Sequence, residues 1–163
     1  MYKEPTNRCK DQLESMDLIA RKLLSVDLSL YASPQYLERY GRPQTPMDLE
    51  LHEFILFRKF DGKIDRRLNF NNESVTVSGR LIVNDVGLLT QSCLDHQGIS
   101  CIADHDTQEY VENGELVKLL PNYRTEQVHG WLLYPRKKTL SRQAKALIDY
   151  ILERFPENSE PNL

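Results

Sequence analysis

One stretch limits the fold more than any other: residues 79–104, GRLIVNDVGLLTQSCLDHQGISCIAD. Its pattern reads strand, helix, strand. Leu81, Ile82 and Val83 form a short continuous apolar run, the mark of a strand covered on both faces. Asn84 and Asp85 mark a helix start, where either side chain can accept a hydrogen bond from the free N–H groups of the first turn. Val86, Leu89 and Cys93 fall on one face of that helix, and Gly98 is the expected stop, because a positive φ costs glycine little. A second buried strand follows over 99–103. So tight a strand, crossover helix and strand implies a parallel sheet. Ligands of such sheets bind off the carboxyl ends of the strands, which here are Asn84-Asp85 and Ala103-Asp104.

The rest of the chain must supply the remainder of one domain. Its 163 residues suit one domain, or one and a half small lobes, and an apolar share of 40% is enough for a core. A net charge of −3 gives no global basic field for nucleic acid. No apolar run approaches the length of a membrane span, and no apolar export signal follows the polar start. The three cysteines, Cys9, Cys93 and Cys101, are therefore read as reduced thiols of a cytoplasmic protein.

Residues 1–17 are expected to be a flexible N-terminal segment. Residues 18–32 alternate in part, at Leu24, Val26, Leu28 and Leu30, and are long enough for two strands or for one strand crossing between lobes. Ser33-Pro34 opens a helix with a cap and a proline at its first position, its apolar face being Tyr36, Leu37 and Tyr40. Thr45-Pro46 repeats the device for a short helix over 47–51. Residues 54–57 form a strand. Asp61-Gly62 is a turn. Asn71-Asn72 turns an antiparallel hairpin between 68–70 and 74–83. A helix over 106–112 closes at Gly114. Strands over 116–120 and 128–134 end at Pro121 and Pro135. Thr139 caps the last helix, 139–155, whose stripe of Leu140, Ala144, Leu147, Ile148, Ile151, Leu152 and Phe155 needs a sheet to cover. Residues 156–163 are a polar, disordered tail.

Four stretches in this order resemble a known pattern: LIARKL at 18–23; YASPQYL at 31–37 with TPMDL at 45–49; Val83-Asn84-Asp85 running to Gly98-Ile99; and Leu133-Tyr134-Pro135 running into Leu140-Ser141 and the last helix. Together they resemble the effector-binding domain of LysR-type bacterial transcriptional regulators, over nearly the whole chain. The resemblance implies an α/β fold like the type 2 periplasmic binding proteins, here one complete Rossmann-like lobe plus part of a second. It makes 18–155 the domain, 33–127 the second lobe, 18–32 and 128–134 the crossover strands, and 139–155 the last helix of the first lobe. It further implies a small-molecule effector in an interlobe cleft, homo-oligomers, and DNA contact only through a winged helix-turn-helix domain that this sequence lacks. The opening of the first lobe is lacking too, which points to an N-terminal truncation. The C-terminal stripe then wants a sheet from elsewhere, such as a second copy. Ala103 stands where the family often has proline.

The resemblance places the cleft against Asn84, Asp85, Val86, Ile102, Ala103 and Asp104, with Ser33 a further candidate whose simpler job is capping. Free N–H groups at helix starts favour an anion. Two acids, Asp85 and Asp104, repel one and suit a polyol, a sugar or an amine. Cys93, His96, Cys101 and His105 have ligand-like spacing. But Cys93 belongs to the apolar helix face and Cys101 to a buried strand, so both read as small core residues and no metal or other cofactor is expected. No nucleophile elbow, phosphate loop or His-Glu-x-x-His motif argues for an enzyme. The short basic clusters Arg58-Lys59, Arg66-Arg67 and Arg136-Lys137-Lys138 read as solvated surface. The competing functions are a solute-binding module for a transporter, a small metal-assisted enzyme and a non-functional remnant of a regulator.

Overall fold

Successive residues of a strand face opposite sides of its sheet, and that alternation divides the interior of this protein in two. In the computed structural model, which describes residues 18–59, 61–70, 73–123, 127–136 and 140–155, Leu30 and Ala32 belong to one buried cluster while Tyr31 belongs to the other. Phe54 and Leu56 likewise part from Ile55. The expectations for 1–17, 156–163, Asn71-Asn72 and Thr139 fall outside the described residues.

The strands are β1 (Leu18–Ala32), β2 (Glu53–Phe57), β3 (Arg67–Phe70), β4 (Glu73–Thr76), β5 (Ser78–Val83), β6 (Ser100–Ala103), β7 (Val117–Leu119) and β8 (Gln127–Pro135). The α-helices are α1 (Pro34–Tyr40), α2 (Val86–Leu94), α3 (Asp104–Glu112) and α4 (Arg142–Arg154), with a 3-10 helix at Pro46–Leu51. Backbone contacts divide the chain into two units, Val26–Val128 and the remainder.

The unit Val26–Val128 holds the sheet. β2 and β5 are parallel, with Ile55 opposite Leu81 and Phe57 opposite Val83. Phe54 bridges Ile99, also in parallel, through Ile55 N–H to Ile99 O and Ile99 N–H to Glu53 O, both 2.9 Å. β6 and β7 each pair antiparallel with β1, through Leu30 opposite Cys101 and Leu119, and β8 also pairs with β1. The expected parallel unit is present, but β2 lies between its two strands. That position needs close approach on both sides. A Cβ on Gly79 would sit 1.7 Å from Phe54 O, and one on Gly98 would sit 2.6 Å from Glu53 O.

Helix α2 packs Leu89 and Cys93 against Ile55, Val83 and Ile102. On the other face α1, the 3-10 helix and the β3–β4 hairpin supply Tyr36, Leu49, Phe70 and Val75. Ser33 caps α1, its Oγ accepting from Tyr36 N–H at 3.3 Å. Thr45 and Asp48 form a capping box on the 3-10 helix.

Several local expectations change. α2 ends at Leu94, and His96, not Gly98, takes the positive φ of 63°. Gly98 is required instead by its closeness to β2. Val86 is 46% exposed, since the helix turns Leu89, Thr90, Ser92 and Cys93 inward. Leu81 is 36% exposed and only Val83 of its run is buried, because among the described residues β5 pairs with β2 alone. The hairpin arm breaks at Val77, so that β4 pairs with β3 and β5 with β2. β1 is one strand of 15 residues. α3 begins at Asp104, two residues before its expected start.

The described part of the second unit consists of the first half of β1, most of β8, and α4, capped by Ser141 through Ala144 N–H at 3.1 Å. None of its described side chains is fully buried. Ala144, Ile148, Ile151 and Leu152 are half-buried, and Leu147 is exposed.

Candidate functional site: a polar depression where β6 meets α3

The alternation of β1 brings Asp27, Ser29 and Tyr31 to one side of the strand, and the register places Leu28 opposite Ala103. Asp104, the next residue, starts α3 and is held by three donors. Tyr31 OH donates to Oδ1 at 2.9 Å, Lys118 Nζ donates to Oδ2 at 2.6 Å, and the Ser29 hydroxyl donates as well. Lys118 comes from β7, the other antiparallel neighbour of β1. Gln127 Nε2 donates to Asp27 Oδ1 at 2.6 Å.

Asp27, Ser29, Asp104, Lys118 and Gln127 line a depression of about 430 Å³, bordered also by Leu119, Leu120, Pro121 and Tyr123. Tyr123 meets the buried Phe70 edge to face, with ring centres 6.2 Å apart. Leu120 has a φ of 47°, unusual for a branched residue and more so before proline. Backbone held in such a conformation is found preferentially at functional sites.

The electrostatics follow from this packing. Partial burial works against the Asp104 carboxylate, but the bonds from Lys118, Ser29 and Tyr31 outweigh it and hold its pKa below the usual value. The hydrogen bond to Asp104 raises the Lys118 pKa. Burial raises that of the Tyr31 phenol. Asp104 and Lys118 therefore form a charged pair across neutral pH, each side chain 39% exposed.

The expected site residues separate into groups. Ala103 ends β6 and Asp104 lines the depression. Asn84, Asp85 and Val86 are exposed at the carboxyl end of β5. β2 intervenes, so the two strand ends lie about 10 Å apart at ordinary strand spacing. Asp85 is the cap of α2, accepting from Leu88 N–H at 2.9 Å. Ile102 is a core residue with 1% exposure. Ser33 is enclosed, with its Oγ 2.8 Å from His96 Nδ1 in addition to its capping bond. Asp27, Ser29, Lys118 and Gln127 were not among the expected residues.

The Cys/His spacing does not converge. Cys93 is buried with its thiol on Tyr31 O at 3.3 Å, His96 is on Ser33, and the exposed His105 pairs with Asp106. Among the described residues no three His, Cys, Asp or Glu side chains gather as a metal site.

A mixed α/β fold with β2 between β5 and β6, and polar groups at the strand ends, is that of a domain of the type 2 periplasmic-binding-protein-like class, as the comparisons with known proteins bear out. The family of the LysR substrate binding domain matches residues 8–156, and the chain belongs to it. The chain is similar to the uncharacterized HTH-type transcriptional regulator YcaN of Escherichia coli K12, with 30% identity over 77% of this chain and 42% of that protein. It is 28% identical to the regulator DmlR of the same organism, over 87% of this chain and 47% of that one. Among solved structures it resembles the regulatory domain of AphB of Vibrio vulnificus. That match has a TM-score of 0.70 and 28% identity, covering 84% of this chain and 70% of that one. The chain thus spans less than half the length of these two relatives, both described as HTH-type transcriptional regulators. No helix among the described residues is long and apolar enough to cross a membrane.

Proposed function

We propose that the chain senses a small metabolite on behalf of a LysR-type transcription regulator of the cytoplasm, and is itself no enzyme. The observation that carries this is the depression at the end of β6, in a domain of the LysR substrate-binding family. Ala103 and Asp104 take part directly. Asn84, Asp85 and Val86 offer a second contact at the end of β5, and Ile102 packs in the core next to Ala103, while Ser33 keeps to its helix cap at the other end of β6. In this reading 33–127 is the second lobe, 18–32 and 128–134 are its crossovers, and 139–155 is the last helix of the first lobe. Ligand binding shifts the arrangement of a homo-oligomer, and DNA is reached only through a winged helix-turn-helix domain.

A ligand that binds only the folded state raises its melting temperature. The test is a thermal melt of this chain with small acids, sugars, polyols and amines. At least one should raise the transition, and Asp104→Ala and Asn84→Ala, both still folded, should lose that response. A cooperative melt that no compound shifts would overturn the proposal.

A further inference from the structure

We infer that the depression beside Asp104 accepts an uncharged, polyhydroxylated small molecule, a sugar or polyol, rather than an organic acid or an amine. The inference rests on the proposal that this depression is the effector site.

It follows from how the charges are already disposed. Asp104 is occupied by Tyr31, Lys118 and Ser29. An ammonium has three N–H donors, and Lys118 gives one to Asp104. On β1, Asp27 accepts from Gln127 through Oδ1, and its negative charge also acts on Lys118. The lining therefore presents one ammonium between two carboxylates, Asp104 bonded to it and Asp27 acting on it from β1, within one small space. A carboxylate approaching Lys118 meets the Asp104 carboxylate on the same ammonium and Asp27 close by. An ammonium approaching Asp27 meets Lys118. A hydroxyl donates to Asp27, accepts from Lys118 and carries no charge for either to repel. The Gln127 amide offers a donor and an acceptor of its own. The Tyr123 ring, steadied by Phe70, adds an apolar surface on which the C–H face of a sugar can rest. A volume of about 430 Å³ suits a molecule of this size.

An amino acid zwitterion also matches both charges, so the test separates it. The full chain, labelled with nitrogen-15, is titrated with D-glucose, myo-inositol, L-serine, succinate and 1,4-diaminobutane while backbone amide shifts are followed. The expected result is that glucose or inositol moves the amides of Ser29, Lys118 and Gln127. Asp27→Ala and Lys118→Met should each weaken that binding about tenfold or more while keeping a native spectrum. If serine, succinate or diaminobutane moves these amides and the polyols do not, the polyol assignment falls and the site stands. Polyol binding that both variants leave unchanged would refute the assignment as well. Silence from all five overturns the polyol assignment and takes away its support for the site.

Discussion

The Tyr31 hydroxyl donates to Asp104 Oδ1 at 2.9 Å and so ties the buried end of β1 to the first residue of α3. Tyr31 is 2% exposed and Asp104 faces the depression, so the bond links the core to the candidate site. Lys118 completes the link from β7.

Removing only that hydroxyl, in Tyr31→Phe, should cost about 1–2 kcal/mol, since the acceptor is ionised but partly solvated. A lower urea midpoint with an unchanged slope would record it. The same variant should raise the Asp104 pKa. A carboxylate whose folded pKa is lowered contributes stability above its unfolded pKa and loses it as pH falls through the folded value. Wild-type stability should therefore fall below about pH 4, and less steeply in Asp104→Asn. Identical acid profiles would show that the pair contributes nothing.

His52 works in a separate pH window. It is 8% exposed, its Nδ1 lies 3.2 Å from Tyr36 OH, and burial lowers its pKa despite the nearby Asp48 carboxylate. The unfolded chain then binds a proton at His52 before the folded one does. Stability is full above about pH 6.5 and declines as pH falls below it. Melting temperatures at neutral pH and at pH near 5.5 should differ for the wild type, and by less for His52→Gln.

Cys93 should be inert in the native protein. It is fully enclosed, and burial pushes its thiol up to about 12. Iodoacetamide at mildly alkaline pH should leave it unmodified by mass spectrometry until denaturant is added. Modification of the native chain at this position would mean that α2 opens readily.

Gly79→Ala should be among the most damaging small substitutions. The added methyl meets the Phe54 carbonyl, which is backbone and cannot rotate away. A loss of about 3 kcal/mol or more is expected, at the upper end of overpacking effects, with the β2–β5 amides losing protection first. A variant as stable as the wild type would show that the two strands can separate slightly at no cost.

Much of this fold was legible because its signals are local. The strand, helix, strand order of 79–104 comes from apolar runs and a cap, and both survive in β5, α2 and β6. The insertion of β2 between those strands was not legible, because pairing between residues 54 and 99 leaves no mark on either segment alone. Gly98 looked like a helix stop, yet its role depends on Glu53, which only the assembled sheet brings near. At the candidate site Asp104 could be read from its place at a strand end. Lys118 could not, since one lysine in a three-residue strand has no pattern. Asp27 and Ser29 left a trace: in Asp27-Leu28-Ser29-Leu30 the polar residues share one face of a strand, and a polar face on a strand needs something polar to meet.

Helix α4 carries no fully buried side chain, whereas Ile55, Ile99 and Ile102 are almost wholly enclosed. Free energies of local opening follow such differences. In deuterated solvent the amides of α4 should exchange on the schedule of a short helix, while those of β2 and β6 wait for global unfolding. A protease acting on the native chain would accordingly cut first within α4 and spare the sheet. Ageing of the protein in a test tube then begins as trimming, and the piece that endures is the one holding the depression.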